Sequence, residues 1–407
     1  MTLTESNDAL EQRLKHYDTD KCTPQEALAL FDAARGRCPV AYSEERGGYY
    51  LLMGYHDVKN AHKNWAQFST EPSIMRPLSD KPPLPPLEYH PPVHTHWRRL
   101  FVEAFSNKTP DRIETEVQAD IASRIDDFAD RGECELISEF IKPIPVNALC
   151  MVLGITPNSE KARHFHHLAN NFIANFSKPE EFPIHLQAIM EFGVAEVLSR
   201  REHPADDYLT WLANADIEGK PLGPEEIGPI MASMLVAGHE TSVNGLAGVL
   251  YEVLRRPDIR DELRANPELV RAAVDEGMRL HPPFFGFYRR TLGDVDVTGV
   301  HIPSGADVQV CWAAANRDPE VFPEPGEFRL DRETGRNRHM SFGFGIHACP
   351  GQATAQMEMR IAVTELLRRL PDIELVEPEK VKFNFTGGES CGINELRVRF
   401  TPVKTRP

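Results

Sequence analysis

The 407-residue sequence predicts a mainly α protein, one domain with small β-sheets, and three observations carry that reading. Apolar residues recur at three- and four-residue spacing through most of residues 109–253, as in IETEVQADIASRIDDFA and AIMEFGVAEVLSRR, the pattern of helices with one buried face. Strand-like pieces are short and late: DVDVTGVHI, ADVQVCW and NELRVRF, set between proline-rich turns. Neither an internal repeat nor a low-complexity linker divides residues 1–407, so they read as one unit.

In chain order, residues 1 to about 20 open polar and acidic and read as a tail. GGYYLLMGY at 47–55 is a strand of a hairpin. EPSIMRPLSDKPPLPPLEYHPP at 71–92 holds eight prolines, which forbid a helix and predict an extended surface loop, long enough to be functional. HTHWRRLF predicts a helix with His94 and Arg98 one turn apart. HFHH at 164–167 lacks a supporting metal-ligand pattern and reads as solvated histidines on a helix. From Pro224 to the stop at Pro257 a single helix of roughly thirty residues would run about 45 Å. The next begins at Asn266 and Pro267 and ends at the His281-Pro282-Pro283 break.

Composition excludes several functions. The net charge of −16 argues against a nucleic-acid partner, because contacting phosphates needs a basic surface. No apolar run suits a signal peptide or a membrane anchor, so a cytoplasmic protein with no membrane contact is expected. Seven cysteines without a C-x-x-C pair suggest neither a disulfide framework nor a zinc site.

One cysteine stands apart. Phe342, Gly345, Cys349 and Gly351 form F-x-x-G-x-x-x-C-x-G, with the helical run QATAQMEMRIAVTELLRRL directly behind. Glycines permit a tight turn close to a flat object, and the helix that follows aims N–H groups at the sulfur, favouring thiolate. A thiolate so placed is a ligand for haem iron. Within the long helix, Ala237-Gly238-His239-Glu240-Thr241 offers two small residues, an acid and an alcohol suited to proton relay. A zinc-protease reading of His239-Glu240 fails because position 243 is Val. Glu276 and Arg279 form an i, i+3 pair of little weight alone.

On these residues the chain resembles the cytochrome P450 family, soluble bacterial type, over nearly its whole length. The resemblance implies haem b, held non-covalently with the Cys349 thiolate as axial ligand and with Phe342 and Gly351 shaping the loop. It places Ala237 against the haem and gives proton delivery to Glu240 and Thr241. His94, Arg98, His347 and an arginine five before Asp294, Arg289, would bind the propionates; Arg290 is the neighbouring alternative. Pro325-x-x-Phe328-x-x-x-Arg332 would bring Arg332 to Glu276 and Arg279 as a structural cluster, and Ala315-Asn316-Arg317-Asp318-Pro319 matches a turn ahead of it. Loop 71–92, Met234, Phe284, Phe285, Phe287 and Thr386 would ring the substrate. Two departures, Pro350 after the cysteine and Glu for Asp in the acid position, remove no functional group.

The implied activity is insertion of one atom of O2 into a small hydrophobic substrate, aromatic and terpenoid classes included. Electrons would come from NAD(P)H through a reductase and a ferredoxin or flavodoxin-like donor, docked on a basic rim at Arg336 and Arg338. A peroxide-driven or isomerising enzyme, and a non-enzymatic haem sensor or carrier, are the rival readings. The first needs no donor and the second a further protein ligand on iron.

Overall fold

The structure is a computed structural model and describes residues 6–76, 83–106, 108–175, 178, 180–332 and 339–404. Helices build one large core, and a five-stranded sheet flanks it. That sheet runs Val40–Ser43, Tyr49–Leu52, Asp307–Cys311, Gly286–Thr291, Phe68–Ser69. The predicted hairpin is its first pair, with Ala41 opposite Leu51. The late strand Asp307–Cys311 runs parallel to Tyr49–Leu52 and antiparallel to Gly286–Thr291, with Gln309 opposite Tyr288. DVDVTGVHI folds as its own hairpin, and NELRVRF supplies the middle strand, Arg397–Arg399, of a three-stranded sheet.

Three expectations change. Residues 7–15 are a helix and not a tail: Ser6 caps it by accepting from the Ala9 N–H, and Leu10 and Leu14, one turn apart, are buried. An apolar i, i+4 pair in an otherwise polar run is enough to anchor a short helix to the core. The long helix is divided at His239 into Pro224–Gly238 and Glu240–Leu254.

The described limbs of loop 71–92 are partly buried rather than on the surface; residues 77–82 lie outside the described set. Glu88 staples the two limbs, accepting from the Ser73 hydroxyl and from the N–H groups of Ile74 and Leu84. Arg76 is buried on a bidentate contact with Asp307, at 2.7 and 2.6 Å. Paired charge of this kind is what lets a proline-rich segment sit inside a fold.

Candidate active site

The cysteine loop is tied at its base by the Cys349 N–H, which donates to the Phe342 carbonyl at 2.8 Å. Gly343 and Gly345 both have positive φ, 68° and 71°. At Gly345 glycine is required twice over, since a Cβ there would lie 2.4 Å from the His62 carbonyl oxygen. Phe342 stacks at a tilt on His339. Gly351 then opens the helix Gln352–Arg369, as predicted.

The thiol behaves less simply than its position suggests. Although Cys349 is itself exposed, the protein crowded around it desolvates the thiol and pushes it up, and this outweighs the N–H groups of Gly351 and Gln352 and the charge of Arg98, all of which pull it down. The helix end therefore acts in the expected sense without by itself securing a thiolate. A metal cation coordinated there would favour the thiolate and would supply the missing contribution.

Around the loop gathers a cluster of arginines and histidines. His94 and Arg98 share a face of the helix Val93–Ala104, and Arg98 donates to the Ala348 carbonyl. The His94 and His347 rings lie 4.3 Å apart. Arg289 is 4% exposed; it donates to the Tyr288 carbonyl and stands 3.4 Å from His62 Nδ1. Arg290 points the other way, to Asp307, so strand alternation decides which of the two arginines joins the cluster.

Every influence resolved on these histidines is unfavourable to charge. His347 is held down to about 2 by burial, then by Arg289, His94, Arg98 and His62. His94 is held down to about 4 by burial, Arg98 and His90, and its Nε2 has no partner among the described residues. Burial alone lowers Arg289 to about 10. Buried donors converging without a carboxylate are strongly unfavourable unless an anion joins them. The two carboxylates of a haem fit that requirement.

On the pocket side, the Thr241 hydroxyl donates to the Ala237 carbonyl at 2.7 Å, and the helix breaks at the intervening His239, φ −93° and ψ −74°. His239 Nε2 lies 3.2 Å from the Lys142 carbonyl oxygen, from which it receives a fixed position. A Cβ built at Gly238 would meet nothing within 4 Å, so the chain leaves room at this step. An open pocket adjoins the break. Met75, Phe172, Leu235, Val236 and Phe284 form its apolar wall, with Glu240, Thr241, Thr386 and Ser390 as polar lining.

The cytochrome P450 family model matches residues 179–386. Cytochrome P450 107B1 of Saccharopolyspora erythraea is 33% identical over 83% of this chain and 86% of its own. The chain belongs to the cytochrome P450 family. Steroid C26-monooxygenase of Mycobacterium tuberculosis is 29% identical over 93% of this chain and 94% of its own. Among solved structures, CYP109B1 of Bacillus subtilis superposes with a TM-score of 0.80 at 28% identity, covering 92% of this chain and 99% of that one. This P450 is thus a monooxygenase with the mainly α P450 fold, and its family carries haem on a cysteine thiolate. No helix among its described residues is long and apolar enough to cross a membrane.

In this P450 Glu276, Arg279 and Arg332 come together. Glu276 receives both Nε and Nη2 of Arg279 at 2.7 Å, and Nε of Arg332 at 2.7 Å. The arginines spend their remaining donors on backbone carbonyls: Arg279 on Asn316, Pro325 and Glu327, Arg332 on Pro323, Glu324 and Glu327. Asn316, from the predicted turn, accepts from the Met340 N–H and donates to Ser341. One buried helix thus holds the segment that leads into the cysteine loop.

The pocket residues divide. Phe284 and Thr386 line it. Met234 and Phe285 do not: each is 2% exposed in the main core, Phe285 edge-on to Phe385. Phe287 packs on Phe284 and Trp312, behind the wall. Ala237 enters through its carbonyl, the acceptor for Thr241. Met75 falls in the loop 71–92 expected to ring the substrate, whereas sequence reasoning did not name Phe172, Leu235 and Val236. The signal for the last two was helical phase, since they stand on the turn before Glu240, but phase alone does not say which neighbour packs where. Among HFHH, His166 bonds Asn147 and His167 bonds Asn171, with no metal-ligating group among the described residues.

Proposed function

We propose that this P450 oxygenates a substrate recognised by its apolar surface, with electrons from a separate acidic carrier. Haem bound through Cys349 would supply dioxygen binding and reductive O–O cleavage, which an electron-rich thiolate promotes. His94, Arg98, Arg289 and His347 would hold its propionates. Thr241, held at the helix break, and Glu240 beside it would pass protons inward.

The observation that carries the substrate reading is how the pocket's polar groups are used. Thr241 is engaged by Ala237, Thr386 by Glu240, and Asn244 by Ser390, so these donors are already matched within the protein. What is left facing a ligand is Met75, Phe172, Leu235, Val236 and Phe284, which suits a largely hydrophobic molecule. The relative named for steroid oxidation agrees with that class.

For the donor, Arg332 is consumed by Glu276, while Arg336 and Arg338 lie outside the described residues. Lys59 and Lys63 contribute instead, stacking over Phe344 of the cysteine loop at 5.0 and 5.5 Å. They offer local positive charge on an otherwise acidic chain.

The test is optical. Purified haem-loaded protein is titrated with steroid, terpenoid, macrolide and simple aromatic panels, and an apolar member is expected to drive the low- to high-spin shift. That compound should then be oxygenated with NADH, a surrogate reductase and a ferredoxin. Turnover with peroxide alone would move the protein to the peroxide-driven class. A reduced carbon-monoxide spectrum without the thiolate signature would sink the assignment.

A further inference from the structure

Glu240 sits just past the helix break, half-buried, and among the described residues no lysine or arginine pairs with it. Its carboxylate is held instead by a hydroxyl from a different element. Thr386 Oγ1, on the strand Phe383–Gly387, lies 2.9 Å from Glu240 Oε1. Thr386 is also 2.9 Å from Ser390 Oγ, and Ser390 accepts from Asn244 Nδ2 at 3.4 Å.

The directions of these bonds follow from the donor inventory. An amide nitrogen only donates and an ionised carboxylate only accepts, so with Glu240 ionised the chain runs one way: Asn244 to Ser390, Ser390 to Thr386, Thr386 to Glu240. The last bond is charge-assisted, and the two before it polarise the hydroxyl that makes it.

The backbone is built to present that hydroxyl. The pairing of Phe383–Gly387 with Ser390–Ile393 shifts register between Phe385 and Gly387, which leaves Thr386 outside the ladder. Such an irregularity re-aims a side chain. The hairpin is also fixed against the helix: Asn244 lies one turn beyond Glu240, and a Cβ at Gly392 would fall 2.1 Å from Asn244 Oδ1. On the other side Ser390 bridges to Phe284 of the pocket wall, and the Phe285 N–H donates to the Glu389 carbonyl.

We propose that Thr386 is a positioning residue for the acid: backed by Ser390 and Asn244, it holds the Glu240 carboxylate at the pocket, so that the substrate-lining hairpin sets the geometry of proton delivery. The role of Glu240 comes from the proposed function, and this inference rests on it. A Thr386 that only shapes the pocket wall would make a different prediction, because valine has nearly the same shape.

The experiment uses haem-loaded wild type, T386V, T386S and E240Q. The infrared difference between wild type and E240Q isolates the Glu240 carboxylate band. T386V is expected to move that band and T386S to keep it. With the compound found by optical titration, NADH and a surrogate reductase–ferredoxin pair, T386V should lower product per NADH about three- to tenfold, with peroxide rising and KM within about twofold. T386S should recover most of that loss, and S390A should fall between. An unmoved band in T386V, or a raised KM with unchanged coupling in both variants, overturns the proposal. If wild type itself gives no product, the monooxygenase substrate reading fails and the infrared comparison still decides on Thr386.

Discussion

Arg289 illustrates how one side chain can be unfavourable to the bare chain and still suit the proposed role of holding a haem carboxylate. It is buried, its guanidinium is depressed to about 10, and burial is the cause, with no carboxylate paired to it among the described residues. Replacing it with methionine removes an uncompensated charge. The haem-free Arg289→Met protein is therefore expected to unfold about 1 kcal/mol or more later than wild type in denaturant, while losing haem faster in a transfer assay to apomyoglobin. Equal destabilisation of both forms would show that the arginine is a packing residue. The family resemblance pointed to Arg289, with Arg290 as the neighbouring alternative, and strand alternation sends the first inward and the second to Asp307.

The Glu276 cluster is the element whose failure spreads furthest. Helix Val270–Leu280 presents one carboxylate to two arginines, and these hold five residues of otherwise irregular chain through their carbonyl contacts. Glu276→Ala leaves Arg279, 2% exposed, without its counter-charge. A loss of about 3–5 kcal/mol is expected, read as an earlier urea midpoint together with reduced haem retention. A variant within about 1 kcal/mol of wild type would mean that the arginines are satisfied by carbonyls alone. The i, i+3 pair was visible in the sequence, whereas its weight was not, because that depends on burial and on a third partner far along the chain.

Charge gives the molecule two further properties. Burial raises Glu358 to about 8 and Glu389 to about 7, so each favours the folded state while protonated, and that contribution is lost as pH climbs from the unfolded value near 4.3 through 7–8. His94 and His347 are lowered, so their contribution is present above about 6.5 and lost as pH falls towards 4 and below. Between about pH 4.3 and 6.5 the two carboxyls and the two histidines oppose each other, so apoprotein melting temperature should fall chiefly as pH rises from about 6.5 towards 8, and H94Q/H347Q should gain stability relative to wild type as pH falls below 6.5; an acid limb identical in the two proteins would contradict it. The second follows from the proposed docking of an acidic carrier at Lys59 and Lys63. Electron transfer from an acidic ferredoxin should slow with added salt, and Lys59→Glu with Lys63→Glu should flatten that dependence. An unchanged salt slope would place docking elsewhere.

What the sequence determined by itself were the features whose constraints are local: the glycine-shaped cysteine loop and its helix, the proline stop, the acid and alcohol at adjacent positions, and the pairs one helical turn apart. Tertiary structure alone decided which side chains face the pocket, because a helix or strand shows several candidates and packing chooses among them. Phe284 lines the cavity while Phe285 fills core, and Leu235 lines it while Met234 does not. The same holds for burial. Leu10 and Leu14 turn an expected tail into a docked helix, and Arg76 and Glu88 carry a proline loop inward, since each of these depends on partners brought from remote parts of the chain.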